Sequence, residues 1–392
     1  MKPIYALLAV VAFVMSAGFA RAGTGDGMAV FERQILFEAG PDCEYRSIRI
    51  PCVLALPDNT VLAVAAGRSR VSDWADIRMI MRRSTDGGKT WEPLTILIDR
   101  GQNVADNPVL IWDEPAKTVH FLHQVNYERI YHMASTDSGK TWTKPVDITP
   151  QLARFQELYK WNVIAPGPGH GIQLKNGRLI VPVWLANGAP EPSGKGIVHR
   201  PSVTTVMYSD DHGKTWQCGD ILPDVLKNMN ETVAVPAEDG GVWLYIRNEE
   251  IPAFKIGVAY SKDGATNWTK AELHDDLYQP ICFSSVLRLS GAPDKSRILF
   301  CNPDSRKNPR RNKGNPWRAR ENLTLRMSYD EGKTWPVVRV LEPLRGSYSD
   351  LTLLGDGTIL CLFEHDNSYI SIARFNLEWL TKRKDLLRSV KK

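Results

Sequence analysis

Few residues of this chain stand where they could carry chemistry, and one of them is a tyrosine. Tyr348 lies in the segment RGSYSDLTLL, residues 345–354, between small and polar residues and directly before an apolar run. A phenol has an unperturbed pKa of about 10, so it becomes a nucleophile only when a neighbouring base accepts its proton. Tyr348 is therefore either a candidate nucleophile or a half-buried tyrosine of a strand.

A second candidate is His170, which stands in the segment PGHG. Because glycines flank it, we interpret it as a turn residue and not as a catalytic base. The sequence contains no H-E-x-x-H, C-x-x-C or G-x-G-x-x-G motif. It therefore gives no support for zinc proteases, zinc ribbons or dinucleotide-binding enzymes, and we expect neither a metal nor a cofactor.

An eight-residue repeat, S-x-D-x-G-x-T-W, sets the architecture that must position such residues. Copies begin at residues 84, 135, 209 and 328, and a degraded copy at 261 has Ala265 and Asn267 in place of Gly and Thr. Asp can accept hydrogen bonds from backbone amides two residues on, and Gly adopts positive φ, so each copy predicts a hairpin turn. Thr and Trp are then expected to begin the next strand, with Trp as a packing anchor. We expect these aspartates to hold turns and to contact no substrate.

Runs typical of β-strands fill the chain between the turns, whereas only residues 377–390 have a sustained helical period. Short strands with one turn motif per unit predict an all-β fold, a six-bladed β-propeller with about 62 residues per blade. Seven blades of about 50 residues also fit some of the spacings. The predicted strands are 60–67, 77–84, 118–124, 129–135, 178–184, 204–209, 241–247, 255–261, 297–302, 323–328 and 358–364.

The segments between the repeats resemble one known family. The repeats look like the Asp boxes that sialidases share with other propellers, which alone says little about function. In addition, IRIPCVLALPDNTVLAVAAGR (48–68) resembles the Arg-Ile-Pro segment that opens the sialidase catalytic domain. The chain resembles bacterial-type exo-α-sialidases from about Asp42 to Leu380, which implies one propeller domain over residues 23–392. Later sialidase segments are matched, in the same order, by residues 106–122, 165–184, 230–248, 320–335 and 346–366.

This resemblance implies a cationic pocket for a substrate carboxylate. A sialic acid is a nine-carbon sugar whose anomeric carbon bears a carboxylate, and a guanidinium fork binds a carboxylate bidentately. By the match, the family's three-arginine cluster corresponds to Arg49, Arg247 and Arg320, which a propeller would bring together at its axis. Arg46 is a weaker candidate than Arg49 for its position in the cluster. Arg318, which lies beside Arg320, is an alternative to Arg320.

The resemblance also assigns the catalytic roles. Tyr348 in SYSDL matches the family's nucleophile, and Glu231 in NET matches the base beside it. An uncharged phenol avoids the repulsion that a carboxylate nucleophile would meet from the substrate carboxylate. We expect the arginines to lower the pKa of the phenol. Asp73 matches the acid/base residue, whereas Asp76 is expected to begin a strand and to make a structural contact.

Four further residues are expected at or near the site. Arg68 matches another arginine that contacts the substrate, and Glu364 matches a glutamate that orients the first arginine of the cluster. Asn107 in DNP could contact the sugar or cap a turn. Trp74 is a candidate cover of the pocket.

The N-terminus has the pattern of an export signal. A positive Lys2 precedes a nearly all-apolar run, and Ala20-Arg21-Ala22 supplies small residues around a cleavage point. We predict removal of residues 1–22 and export to the periplasm or the medium. No other stretch approaches about 18 apolar residues, so we expect no stable membrane insertion.

The six cysteines are an even number, which allows disulfides, but several lie in apolar runs where buried thiols are equally expected.

The resemblance predicts an exo-α-sialidase that removes terminal sialic acid from glycans, glycoproteins or glycolipids, with retention, through a tyrosyl intermediate. A trans-sialidase or intramolecular trans-sialidase would use the same core residues. A non-catalytic sialic-acid-binding propeller and a structural propeller that binds proteins are the alternatives from other classes. The formal charge of +5 does not imply nucleic acid, and the basic stretch 306–320 has no aromatic residue apart from Trp317. We expect a loop there and no nucleic-acid partner, and the sequence gives neither the linkage preference nor the oligomeric state.

Overall fold

The computed structural model describes residues 28–40, 43–192, 194, 196–307 and 319–387. The predicted signal peptide, residues 1–22, and the alternative arginine Arg318 lie outside the described residues. None of the helices in the described part of the chain has the length and apolar character needed to span a bilayer.

The described residues form 26 strands that assemble into six sheets, each of four or five strands. In chain order the strands are β1 (Phe31–Glu38), β2 (Ser47–Ala55), β3 (Val61–Arg68), β4 (Ile77–Ser84), β5 (Thr95–Ile98), β6 (Ala105–Asp113), β7 (Thr118–Val125), β8 (Arg129–Ser135), β9 (Val146–Asp147), β10 (Val163–Pro166), β11 (Gly169–His170), β12 (Ile172–Gln173), β13 (Leu179–Ala186), β14 (Ser202–Ser209), β15 (Gln217–Cys218), β16 (Thr232–Pro236), β17 (Val242–Ile246), β18 (Lys255–Ser261), β19 (Glu272–Tyr278), β20 (Ser285–Ser290), β21 (Arg297–Pro303), β22 (Glu321–Ser328), β23 (Val337–Arg345), β24 (Ser349–Leu353), β25 (Ile359–His365) and β26 (Tyr369–Phe375).

Each sheet is one blade of a six-bladed propeller, so the six-bladed prediction is confirmed and the seven-bladed alternative is wrong. Blade one is β2–β5, blade two is β6–β9 with β11, and blade three is β10 with β12–β15. Blades four and five are β16–β19 and β20–β23, and blade six is β24–β26 with β1. Strand β1 pairs antiparallel with β26, with Phe31 opposite Phe375, so a strand from the start of the chain completes the last blade.

Extra structure in blade three accounts for the long interval between the repeats that begin at residues 135 and 209. A 3₁₀ helix, Thr149–Leu152, and the short helix α1, Arg154–Leu158, precede β10. Between β13 and β14, the described residues include an antiparallel bridge of Pro190 with Ile197. These insertions lengthen one unit without adding a blade.

The inner strands are buried on both faces because each blade packs between two others. All eight residues of β3, VLAVAAGR, and all eight of β13, LIVPVWLA, are buried. Continuous apolar runs of this length are typical of fully buried strands. The outer strand β23, by contrast, leaves half of its residues exposed. Side chains at the ends of the inner strands therefore lie close to the propeller axis.

The repeats form the turns between the third and fourth strands of the blades, as the sequence predicts, but with a different hydrogen-bond pattern. Asp137 accepts from the backbone N–H of Thr141 at 2.9 Å and from its hydroxyl at 2.6 Å, so its partner is four residues on and not two. Thr141 therefore closes the turn, and Trp142 packs against the core four residues before β9 begins. The expectation that Thr and Trp begin the next strand is wrong.

The degraded repeat keeps the turn by shifting it one residue. Asp263 accepts from the backbone N–H of Thr266 at 2.8 Å and from its hydroxyl at 2.9 Å, three residues on. The N–H of Gly264 donates to the serine hydroxyl that opens the repeat. In the repeat pattern the Gly and Thr would fall at residues 265 and 267, which are Ala and Asn here. Gly264 and Thr266, each one residue earlier, make the hydrogen bonds of the turn instead.

The C-terminal helix is shorter than predicted. Within the described residues it covers only Leu377–Leu380, capped by the side chain of Asn376. Lys382 and Arg383 adopt positive φ of 55° and 63°, which ends the helix.

All six cysteines are free thiols, and the sulfur atoms of Cys301 and Cys361 lie 3.9 Å apart.

Candidate active site

A cavity of about 390 Å³ is lined by residues from all six blades and therefore lies on the propeller axis. Glu364 is fully buried and lies beneath the cavity wall. Of the ten residues that the sequence suggested at or near the site, all except Glu364 and Trp74 line the cavity: Arg49, Arg68, Asp73, Asn107, Glu231, Arg247, Arg320 and Tyr348.

A tyrosine, a carboxylate and a guanidinium form one hydrogen-bonded group in this cavity. Tyr348 directly precedes β24, Glu231 directly precedes β16, and Arg247 directly follows β17. The Tyr348 hydroxyl donates to Glu231 Oε2 at 2.5 Å and accepts from Arg247 Nη1 at 2.7 Å. Arg247 also forms an ion pair with Glu231. A base therefore lies in direct contact with the only phenol of the group.

The pKa of Tyr348 is raised and not lowered, contrary to the expectation from the sequence. Burial is the largest cause, since the side chain is 4% exposed and an ionised phenol would lose its hydration. The charges of Arg247, Arg320 and Arg49 favour the phenolate, but burial and the Glu231 carboxylate outweigh them. The phenol is thus neutral in the free site.

Arg49 and Arg320 complete the cationic half of the cavity. Their guanidinium carbons lie 4.9 Å and 5.3 Å from the centroid of the Tyr348 ring. Glu364 holds Arg49, since its Oε2 lies 3.2 Å from Arg49 Nη2 and its Oε1 accepts from the backbone of Ile50 at 2.7 Å.

Arg320 is held by neutral groups. Its Nη1 donates to Ser347 Oγ at 3.2 Å, and its Nη2 donates to the carbonyl of Ile281 at 2.8 Å. The buried Nε atoms of Arg49, Arg247 and Arg320 have no hydrogen-bond partner among the described residues. Among the described residues, only Glu231 and Glu364 are shown as carboxylates in contact with these three guanidinium groups, which leaves an excess of positive charge suited to an anion.

Arg68 links two acidic groups on the opposite side of the cavity. Its Nη1 lies 2.7 Å from Asp73 Oδ1, and its Nη2 lies 2.7 Å from Asp106 Oδ2. Asp106 is fully buried, and sequence reasoning missed it although it stands next to Asn107 in the segment DNP. Its other oxygen accepts from the backbone of Asn107 at 2.7 Å. Asn107 has a positive φ of 57° at a register break of β6, and it lines the cavity.

Asp73 is ionised in the free site. Loss of water around the carboxylate raises its pKa, but the charges of Arg68 and Arg49 outweigh this and hold the pKa well below its usual range. Its side chain remains 49% exposed at the cavity. The competing residue Asp76 does not line the cavity, and its backbone carbonyl accepts from Ser69.

An aromatic wall of the cavity is formed by Tyr127, Trp184 and His199. The His199 ring lies 4.5 Å from Tyr127 and 5.2 Å from Trp184, centroid to centroid. Trp74 packs behind this wall, 5.0 Å from Tyr127, and does not line the cavity, so the suggestion that it covers the pocket is wrong. Sequence reasoning missed the wall because Trp184 stands in an apolar run typical of core.

His170 does not lie in an exposed turn, which corrects the interpretation from its glycine neighbours. It is 7% exposed in β11, which pairs in parallel with β6, and Nδ1 lies 2.6 Å from Asp350 Oδ1. Arg46, the alternative to Arg49, is exposed and lies outside the cavity. Among the described residues, no group of three or more His, Cys, Asp or Glu side chains is placed to hold a metal ion.

The arrangement can bind a carboxylate against three arginines while a neutral phenol, in contact with its own base, faces the same space. Asp73 lies across the cavity, where it can exchange a proton with a group leaving or attacking there. These are the parts that a two-step displacement at a sugar carbon next to a carboxylate requires.

The chain is similar to known proteins in sequence and in fold. The model of the BNR repeat-like domain matches residues 59–361. A sialidase of Micromonospora viridifaciens is 32% identical over 372 residues, which cover 86% of this chain and 52% of that protein. A sialidase of Bacteroides fragilis is 26% identical over 373 residues, covering 86% of this chain and 63% of that protein. The chain thus spans between half and two thirds of these relatives.

Solved structures share the fold. A Hadza microbial sialidase superposes with a TM-score of 0.72 at 23% identity, covering 86% of this chain and 67% of that one. The leech intramolecular trans-sialidase superposes with a TM-score of 0.71 at 17% identity, covering 90% of this chain and 71% of that one.

Proposed function

The chain belongs to the family of BNR repeat-like domains, and from this premise we propose that it acts as an exo-α-sialidase. It would hydrolyse terminal sialic acid from glycans, glycoproteins or glycolipids. The observation that carries the proposal is the meeting of Arg49, Arg247 and Arg320 around Tyr348. The relatives named sialidases support the same activity.

Substrate binding follows from the charge of the cavity. The carboxylate of a sialic acid would accept hydrogen bonds from the three guanidinium groups, whose forks are held by Glu231, Glu364 and neutral oxygens. Because the anomeric carbon bears that carboxylate, it would lie within reach of the Tyr348 hydroxyl. Substrates that lack the carboxylate would leave the guanidinium groups without an anion and would bind weakly.

In the first step, the Tyr348 oxygen would attack the anomeric carbon while Glu231 accepts the phenolic proton. The bond from that carbon to the leaving oxygen breaks, and Asp73 donates a proton to that oxygen. The neutral phenol avoids repulsion from the bound carboxylate before attack, and the arginines stabilise the negative charge that develops on it during attack.

In the second step, Asp73 would take a proton from water as the water oxygen attacks the same carbon. The bond to Tyr348 breaks, and Glu231 returns the proton to the phenolate, which restores the free site. Two displacements at one carbon give net retention of configuration.

Asp73 must be protonated to act first as an acid, although Arg68 and Arg49 hold its pKa low in the free site. A bound carboxylate would add negative charge beside Arg49 and weaken the field that keeps Asp73 ionised. Substrate binding is therefore expected to raise the pKa of Asp73, so that the carboxylate becomes protonated only when a substrate is present.

The test is a panel of α2,3-, α2,6- and α2,8-linked sialosides with identification of the products. Free sialic acid supports hydrolysis, whereas transferred sialic acid or an anhydro sugar indicates one of the transferase alternatives. An Arg49→Ala/Arg247→Ala/Arg320→Ala variant should lose turnover, and Arg46→Ala, which removes an exposed arginine three residues from Arg49, should keep it. A folded wild-type protein that binds sialosides without turnover would support the non-catalytic alternative.

Export of the protein is a separate part of the proposal. It is supported by the pattern of residues 1–22. N-terminal sequencing of protein expressed with its full leader should find Gly23 at the start of the exported form.

A further inference from the structure

His170 lies buried on the propeller axis, beneath the proposed active site. It belongs to β11, which joins blade two by parallel pairing with β6. Its Nδ1 lies 2.6 Å from Oδ1 of Asp350, whose side chain is fully buried. The proposed mechanism uses neither residue, so this ion pair needs a separate account.

Asp350 joins the strands that carry two of the site residues. It lies two residues after Tyr348 on β24 of blade six. Its Oδ2 accepts from the backbone N–H of Val53 at 2.8 Å, and Val53 belongs to β2, the strand of Arg49. One carboxylate thus ties the strand of the nucleophile to the strand of a substrate-binding arginine.

Blade five contributes to the same centre. The Ser285 hydroxyl on β20 donates to Asp350 Oδ1 at 3.1 Å, and its oxygen accepts from the backbone of Leu351 at 3.0 Å. When protonated, His170 is the only positively charged side chain in contact with Asp350 among the described residues. A buried carboxylate that loses its charged partner is strongly destabilised, so the strands around it would have to move or admit water.

We propose that His170 is a positioning residue, which holds Asp350 and through it the strand of Tyr348 in the geometry that attack requires. The inference rests on the proposed sialidase function for its kinetic consequences. In this proposal His170 does not contact the substrate, because it lines a separate cavity of about 220 Å³ at the other end of the propeller axis.

The titratable and charged groups around the His170–Asp350 ion pair determine how its stabilising effect depends on pH. Burial lowers the pKa of His170, but Asp350 outweighs this and raises it above the ordinary value of 6.5. The thiols of Cys52 on β2 and Cys361 on β25 lie near Asp350, with their own pKa values raised. Arg288 on β20 lines the same lower cavity. A raised pKa means that the stabilisation is complete below pH 6.5 and is lost as pH rises through the raised value.

The test compares three variants on an aryl sialoside with a good leaving group. Such a substrate needs no proton from Asp73, so loss of that proton at high pH does not limit its cleavage. His170→Leu removes both the charge and the donor, and kcat should fall at least about tenfold while KM changes less than about threefold. His170→Asn keeps an N–H near the position of Nδ1, so kcat near pH 6 should recover to within about threefold of wild type.

The pH profile separates positioning from general stability. In wild type, kcat should fall on the alkaline side by no more than about threefold, because neutral His170 can keep the hydrogen on Nδ1 and loses only its charge. His170→Asn, which does not titrate, should lack that fall. His123→Leu is the matched control, because His123 is also buried but its ring nitrogens have no hydrogen-bond partner among the described residues. It should keep wild-type kcat and the wild-type alkaline limb even if its thermal midpoint drops.

Amide hydrogen exchange over Ser349–Leu353 provides a readout that needs no turnover. Exchange should accelerate in His170→Leu and not in His123→Leu. Equal pH profiles for wild type and His170→Asn, or wild-type kcat in His170→Leu, would overturn the inference and leave the proposed function intact. If wild type cleaves no sialoside, the proposed function fails, and the exchange rates alone decide whether His170 holds this strand. If His170→Leu does not fold, the comparison of wild type with His170→Asn still decides.

Discussion

Tyr348 on blade six donates its phenolic hydrogen to Glu231 on blade four, across 2.5 Å. Neither residue could reach the other without the ring of blades, which brings the ends of their inner strands to the axis. The contact joins a phenol whose pKa is raised by burial to a carboxylate that can take its proton. In the proposed mechanism the phenol becomes a nucleophile only when its proton moves to Glu231, and this dependence can be measured.

Replacing Glu231 with Gln should lower kcat by about 10²- to 10⁴-fold, because the amide cannot accept the phenolic proton. KM should change less, since the three arginines remain. Steady-state kinetics on an aryl sialoside give both values. The matched control is Glu249→Gln, since Glu249 also lines the cavity but pairs with Arg200. A kcat within about threefold of wild type in Glu231→Gln would contradict the assigned role.

Asp73→Asn should impair natural glycosides far more than aryl sialosides, because only a poor leaving group needs a proton during departure. The pKa of Asp73 is lowered in the free site, so the free enzyme holds the protonated form only at acidic pH. We therefore expect kcat/KM for a natural sialoside to fall as pH rises, and that fall to vanish in Asp73→Asn. Equal losses on both substrate classes would argue against an acid role.

Glu364→Gln should raise KM about tenfold with a smaller effect on kcat. The amide removes the negative charge that orients Arg49, and a charge-assisted hydrogen bond contributes about 1.5–3 kcal/mol. Calorimetric titration with free sialic acid checks the binding change directly. An unchanged dissociation constant would show that Arg49 is held by other contacts.

Asp385→Ala should lower the free energy of unfolding by about 3 kcal/mol while leaving KM unchanged. Arg297 is 1% exposed and donates from Nε and Nη2 to this carboxylate at 2.7 Å and 2.8 Å, far from the cavity. Urea unfolding followed by fluorescence measures the change. Asp275→Ala, which removes an exposed carboxylate paired with the partly buried Lys255, should leave the unfolding midpoint unchanged.

The same ion pair predicts an acid limit of stability. Hydrogen bonds from Arg297 outweigh burial and lower the pKa of Asp385 to about 2. Since the folded pKa is depressed below the ordinary 3.8, the stabilisation is present above pH 4 and is lost as pH falls towards 2. The difference in unfolding free energy between wild type and Asp385→Ala should shrink over that interval.

The blades could be predicted because local signals coincide with their boundaries. Strands β4 and β8 were predicted with their observed bounds, since each ends at the serine that opens an Asp box. The choice of Arg49 over Arg46 has a structural reason that the sequence does not contain. A register break between Arg49 and Cys52, with Ile50 at a positive φ of 59°, accompanies the placement of Arg49 in the cavity.

The remaining features depend on contacts between distant segments. His170 has the local pattern of a turn, but its parallel pairing with β6 and its ion pair with Asp350 come from the closed ring. The raised pKa of Tyr348 likewise follows from burial, whereas the sequence indicated only the arginines. Asp106 was missed because its function is to hold Arg68, a contact between blades two and one.

The central claim is that Tyr348 forms a covalent bond to the anomeric carbon of sialic acid. The most direct measurement is peptide mass spectrometry of wild-type protein quenched during turnover of a sialoside whose 3-position bears an electronegative substituent, which slows breakdown of the intermediate. The account predicts one added sialyl group on the peptide that contains Tyr348, absent from Tyr348→Phe. A sialyl group on Asp73 or Glu231, or no adduct together with an inverted anomer of the released sugar, would contradict it.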